Sequence, residues 1–550
     1  MRDGSGRIDR RGFLGLSALI GAAAVGHGGS TGFLGPRSSA SRAFDWTLFD
    51  RDEATIASLQ SDMQAGRLTA RQLAETYLDR INKLDREGPK LRSILETNPD
   101  VLSIADELDR ERKAKGPRGP LHGIPVVLKD NIDTADRMTT TAGSLALEGS
   151  IAPRDSGVAA RLREGGAVLL AKANMSEWAN IRSTHSTSGW SARGGQCRNP
   201  YVLDRNPCGS SSGSAVAASA NLCAVAVGTE TDGSIVCPAS NNGIVGLKPT
   251  VGLVSRAGII PISHTQDTAG PLCRTVADAA ALLTVLAGPD PRDPATASSE
   301  NISKDYTRFL NLRGLQGARI GVARAKFFGY SDAADRLAEA ALEVLRREGA
   351  VLVDPANVPH AGEYDDAELE VLLYELKADL NSYLGALGPA APVKTLQDVI
   401  EYNERHRDRE MPYFGQELFL RAQKKGPLTS PAYMKALTKC RRLSRTLGID
   451  AVMTRHKLDA LVAPTGGPAW STDLVNGDHF AGASSTPAAV AGYPSISIPM
   501  GFAYGLPVNI SFFGRRWSEP VLIRIGHAYE QATTHRRPPG FLPTAPLTPA

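Results

Sequence analysis

The 550-residue sequence contains no Cys-x-x-Cys pair, no His-Glu-x-x-His stretch, no Gly-Lys dipeptide and no serine followed three residues later by lysine. The first two absences remove common zinc and redox motifs, the third the phosphate loop, and the fourth one lysine-assisted serine pattern. The six cysteines (Cys197, Cys208, Cys223, Cys237, Cys273 and Cys440) therefore point to no metal, and they need not form a disulfide framework. No metal and no cofactor is expected. One-sided charge is missing as well. Residues 1–43 carry six arginines against two aspartates, and beyond them 56 basic residues balance 56 acidic ones. No basic field is left to hold nucleic acid or anionic lipid.

A long apolar run is also absent. The longest, about fifteen residues ending near Gly26, falls short of the ~20 that cross a bilayer and is rich in Gly and Ala. It follows Arg10 and Arg11 in "DRRGFLG", an order that reads as a twin-arginine-type export signal cleaved near Ala43. The expectation is a signal segment at 1–43, one domain at 44–550, a periplasmic or extracellular location and no stable membrane anchor. Internal repeats and low-complexity blocks are missing.

What is present is an alternation of strand and helix. Thr69 and Gln72 fit a capping box, and Leu73, Tyr77, Leu78, Ile81 and Leu84 then share one helical stripe. From Leu121 the chain runs "IPVVLK", the helix-like "SGVAARLREGG", the strand-like "AVLLAKAN", the helix-like "SSGSAVAASANL" and the strand "CAVAV" at 223–227. This predicts an α/β domain with a largely parallel sheet covered by helices on both faces. Residues 285–440 read as loops and peripheral helices. Strand-like segments return in "LDALVAPT" (458–465) and "YPSISIPMG" (493–501).

Three polar sites fall at matching places in this pattern. Lys129 ends a strand, Ser210 to Ser212 open a helix, and Ser234 lies just past a strand, where open parallel sheets bind ligands. Each has an ordinary alternative: a strand-terminating surface lysine, a helix N-cap with spare serines, and a turn residue. A lysine beside an apolar strand loses solvation, which lowers its pKa and suits it to activate a hydroxyl as a base. "GSSSG" at 209–213 also matches a nucleophile elbow centred on Ser211, but the polar, proline-broken stretch before it is no buried strand.

"GIPVVLKDNID" (123–133), "GSSSGSAVAAS" (209–219), "GTETDGSIVCPAS" (228–240) and "GIVGLKPTVGLVS" (243–255), in this order, resemble the amidase signature family; "QDTAGP" and "AGYPSISIPMG" extend the likeness. The resemblance implies a mixed central sheet sandwiched between helices, and a hydrolase that cleaves carboxamides through an acyl-enzyme. It places the nucleophile on Ser234, the bridging serine, which follows a cis peptide bond, on Ser210, and the base on Lys129. Backbone N–H groups of Thr231, Asp232 and Gly233 are then expected to bind the oxyanion. The form "TETDGS" is most similar to members that remove the C-terminal amide of peptides. The alternatives are a general aliphatic or aryl amidase, a glutamine-hydrolysing amidotransferase subunit, or an exported amide-binding protein. Two departures stand out: Cys208-Gly209 where many members have a double glycine, and Asp232-Gly233 where most have two glycines. Substrate walls are expected from residues 173–183 and from the loops at Trp470 and Phe480.

Overall fold

Helices form where the chain spells their caps. In the computed structural model, which describes residues 52–301 and 303–547, Thr55 with Ser58 and Thr69 with Gln72 make reciprocal capping boxes ahead of helices Ile56–Gln64 and Ala70–Arg80. Leu73, Tyr77, Ile81 and Leu84 are all buried, as their spacing predicts, and Leu78 lies half-buried at the stripe's edge. The signal segment assigned to residues 1–43 lies outside the described residues.

The strands are β1 (Ile94–Thr97), β2 (Pro125–Lys129), β3 (Val168–Ala173), β4 (Trp190–Ser191), β5 (Gly195–Gln196), β6 (Val225–Glu230), β7 (Val245–Lys248), β8 (Thr268–Cys273), β9 (Arg319–Val322), β10 (Val351–Val353), β11 (Ala460–Pro464), β12 (Ser495–Ala503) and β13 (Leu506–Phe513). Eleven of them make one sheet in the order β1-β3-β2-β6-β8-β7-β12-β13-β11-β9-β10, while β4 and β5 pair separately. Every residue of β2, β3, β6, β11 and β13 is buried. Strands buried throughout lack the polar alternation of a half-solvated sheet, because helices cover both faces.

The sheet is mixed, as the family resemblance implies, and not largely parallel, as the alternation of strand and helix alone predicts. Six of its ten neighbouring pairs are antiparallel, and parallel pairing survives in β3-β2-β6 and β11-β9-β10. Parallel neighbours need a long crossover; antiparallel ones accept a tight turn. Tyr504 and Gly505, at φ 54° and 76°, form such a turn between β12 and β13. Strand β8 enters between β6 and β7, antiparallel to both. Within residues 285–440, read from sequence as loops and helices, β9 and β10 flank helix Asp332–Arg347 as a parallel β-α-β unit. Their three or four residues are too short for periodicity to register.

Two of the six cysteines pair, Cys208 with Cys237, and the other four are buried thiols. Among the described residues, no helix is long and apolar enough to cross a membrane.

Candidate active site

Strand β2 carries Lys129 at its C-terminal end and leaves the side chain fully buried. Its parallel neighbour β6 begins at Val225 and continues to Glu230, later than the 223–227 expected from sequence, so Thr229 is a strand residue. Lys129 Nζ lies 2.8 Å from Thr229 Oγ1, 3.2 Å from Thr229 O and 2.8 Å from Ser210 Oγ. Asn131 Nδ2 donates to the same threonine hydroxyl at 3.0 Å. No carboxylate is hydrogen-bonded to the lysine among the described residues. Burial pushes its pKa down to about 7, only partly opposed by the negative charges of Asp267 and Glu230.

The three serines at 210–212 do not cap the helix Ser212–Ser219 that follows them. Ser210 faces the lysine, and its carbonyl accepts from the Ser176 N–H at 3.1 Å. The bond Gly209–Ser210 is cis. Ser211 donates to Thr229 O at 2.9 Å and accepts from Thr229 N–H at 3.1 Å, tying the loop to β6. Ser212 donates to Cys208 O. A run of identical residues thus does three different jobs.

At the end of β6, the Glu230 carboxylate accepts from the N–H groups of Ile235 (2.7 Å) and Val236 (3.0 Å), at the start of helix Val236–Asn241. This closes residues 231–234 into a tight loop. Thr231 Oγ1 donates to Asp267 Oδ1 at 2.6 Å, and the Asp232 carboxylate accepts from the hydroxyls of Ser485 (2.6 Å) and Thr486 (2.7 Å). Gly233 sits at φ 80°, a conformation natural to glycine. With these side chains anchored, the N–H groups of Thr231, Asp232, Gly233 and Ser234 find no acceptor among the described residues. Ser234 is 9% exposed and its hydroxyl has no hydrogen-bond partner among them. The Ser211 N–H donates to Ser234 O at 3.2 Å, so the structure brings Lys129, Ser210 and Ser234 onto adjoining segments, with a side-chain hydrogen bond between the first two and none to Ser234 among the described residues.

Burial raises Asp267 to about 6 and also raises Glu230 and Asp232. A cavity of about 480 Å³, lined in part by Arg256, His264, Asp267, Asp379 and Tyr383, lies next to a pocket of about 10 Å³ at Asn131, Thr229 and Thr231; Asp267 lines both. Of the walls expected from sequence, Ala179 lines the small pocket, while Trp470 and Phe480 line neither. Those two rings pack edge to face at 5.5 Å, and Trp470 Nε1 donates to Asp478. His264, Glu375 and Asp379 bring potential metal ligands within 4.8 Å of one another. Their lone pairs are engaged: Glu375 accepts from Ser263, Thr265 and Tyr433, and His264 Nδ1 lies 2.9 Å from Asp379. Sequence reasoning does not single out Thr229 and Asn131; both stand inside the quoted motifs, yet only the register of β2 against β6 makes them neighbours.

The chain matches the family described as Amidase over residues 72–523. It is 54% identical to the solved peptide amidase of Stenotrophomonas maltophilia, with a TM-score of 0.86, covering 89% of this chain and 99% of that one. A probable amidase of Arabidopsis thaliana is 46% identical over 506 residues, covering 90% and 93% of the two chains. A glutamyl-tRNA(Gln) amidotransferase subunit of Halorhodospira halophila is 36% identical over 501 residues, covering 89% and 99%.

Proposed function

Since this chain belongs to the amidase signature family of hydrolases, we propose that it hydrolyses the C-terminal carboxamide of peptides, with Lys129, Ser210 and Ser234 as its catalytic residues. The observation that carries the assignment is the coordination of the lysine. A neutral amine has two N–H donors and one lone pair. Of the three contacts of Nζ, the Thr229 carbonyl can only accept an N–H, while the Thr229 and Ser210 hydroxyls can each accept an N–H or donate to the lone pair; of these two, Thr229 Oγ1 also accepts from Asn131 Nδ2, and Ser210 adjoins Ser211, whose N–H bonds Ser234 O.

In the reaction, Ser234 Oγ attacks the amide carbon as its proton passes to Ser210 Oγ and the Ser210 proton passes to Lys129 Nζ. The oxyanion is received by N–H groups of the 231–234 loop, which are already free of protein acceptors. Lys129 returns a proton through Ser210 to the nitrogen, ammonia leaves, and an ester remains on Ser234. Water then attacks that ester through the same relay. The choice of a peptide amide rests on the likeness to the peptide amidase.

The test is to give the protein a short peptide amide, the same peptide as free acid, glutamine and a simple aliphatic amide, and to follow ammonia and product mass. Ammonia from the peptide amide with internal bonds intact is the expected result. Preference for the aliphatic amide or glutamine, or cleavage inside the free acid, overturns the substrate assignment. We also propose export through Arg10 and Arg11, tested by replacing both with lysine; unchanged export refutes the twin-arginine route.

A further inference from the structure

We propose that the Cys208–Cys237 disulfide is a positioning element that holds the Ser210 loop and the Ser234 loop in register, so that turnover depends on its oxidation. This rests on the relay proposed above. Cys208 stands two residues before Ser210 and Cys237 three residues after Ser234. Their Cα atoms are 6.1 Å apart, and 29 residues separate them along the chain.

The local conformation shows that this cysteine is not there by default. Cys208 has φ 57°, the left-handed region where a side chain is disfavoured and glycine is not. It is held there by Asn206 Oδ1, which accepts its N–H at 2.8 Å, and by the Ser212 hydroxyl on its carbonyl at 2.6 Å. A second glycine would fit this backbone without strain; what the cysteine adds is the covalent link to Cys237.

The other ties between the two segments are hydrogen bonds, and the shortest pair, between Ser211 Oγ and the Thr229 backbone at 2.9 and 3.1 Å, holds the Ser210 loop to β6 and not to the Ser234 loop itself. Ser211 N–H donates to Ser234 O at 3.2 Å, Asn242 Nδ2 to Pro207 O at 2.9 Å, and Asn241 Nδ2 to Asn206 O at 3.4 Å. By contrast, the lysine end of the relay is fixed independently. Lys129 belongs to a strand paired on both sides, and Ser210 O is held by Ser176 N–H. Loss of the bridge therefore acts on the step between Ser210 and Ser234. That step is intolerant, since a proton passes between hydroxyls only within hydrogen-bond reach, and misplacement by about 1 Å is enough to cost catalysis heavily.

Reduction by a dithiol breaks the S–S bond, forms two S–H groups and leaves the reductant as a cyclic disulfide, a balanced two-electron, two-proton exchange. The four remaining cysteines are buried thiols, so reduction acts on this bond alone.

The experiment compares the oxidised wild-type protein with the Cys208→Gly, Cys237→Ala double variant. It measures kcat and KM on a peptide amide and the rate at which a fluorophosphonate labels Ser234, well below either protein's unfolding temperature. The expected result is a fall of tenfold or more in kcat and in labelling rate, with KM within twofold; a bridge that only stabilises the fold moves the unfolding temperature and neither rate. Equal kcat and labelling rates overturn the inference and leave the proposed function standing. Wild-type protein that releases no ammonia overturns the proposed function, and the labelling comparison still decides the role of the bridge. Should the variant fail to fold, wild-type protein is reduced with dithiothreitol and reoxidised: labelling that falls and recovers supports the inference, and labelling that never changes refutes it.

Discussion

Two lysines end strands of the same sheet. Lys129 ends β2, Lys248 ends β7, and both are fully buried. Burial lowers the first to about 7 and the second to about 8. By charge state alone they are near equals, yet their neighbours differ. Lys248 donates to the Pro249 carbonyl at 3.1 Å and is faced by the negative charges of Glu230, Glu519 and Asp232. It offsets buried carboxylates and is hydrogen-bonded to no hydroxyl among the described residues. Lys129 is faced by carboxylates too, Asp267 and Glu230, but its hydrogen-bond partners include a threonine and a serine hydroxyl. A depressed pKa makes a lysine available as a base; a hydroxyl in contact gives the base something to act on.

The largest effect expected from this contrast is at the relay. Ser234→Ala and Lys129→Ala are each expected to lower kcat on a peptide amide by about 10⁴-fold or more, with the far-ultraviolet circular dichroism unchanged. Near-normal kcat in either variant removes that residue from the mechanism.

Lys248→Met is expected to be a stability variant instead. It leaves Glu230, Glu519 and Asp232 buried without the cation whose charge faces them, and a loss of stability is expected by denaturant unfolding. Activity per folded molecule should stay within about tenfold of wild type, a smaller effect than breaking a catalytic relay. If it collapses as far as in Lys129→Ala, the two lysines are not distinct in role.

The pH dependence sharpens the same contrast. The folded pKa of Lys129 lies below its ordinary value, so the neutral, active amine predominates above about 7 and is lost as pH falls through it. Below the inflection kcat should drop about tenfold per pH unit. The Lys248→Met variant should keep that inflection; its disappearance would assign the titration to the wrong lysine.

The smallest effect belongs to the loop's outer anchors. Thr231→Val removes one donor from Asp267 and is expected to cost about 1 kcal/mol of stability and less than tenfold in kcat. A loss as large as that of Ser234→Ala would mean that the threonine hydroxyl itself enters the chemistry.

Much of this site is legible along the chain because its parts are local. The capping boxes, the apolar strand ending at Lys129, and the glycine before Ser234 each depend on residues a few positions apart. So does the likeness of the quoted motifs to a family, from which the three catalytic candidates follow. The short strands β9 and β10 are not legible there, and the mixed pairing of the sheet is legible only through the family likeness and not from the strand pattern, since strand direction is decided by what each strand meets across the sheet.

Periodicity and capping are properties of neighbouring residues, so the order of amino acids is enough to specify which stretches become strands and helices and where hydroxyl, amine and thiol groups stand. Which lysine meets a hydroxyl, and which cysteines pair, is settled later, by packing. Lys129 reaches Ser210 across 81 residues and Thr229 across 100, and Cys208 reaches Cys237 across 29. Such contacts are selected by burial and by the register of β2 against β6, which bring distant segments together once the core has packed.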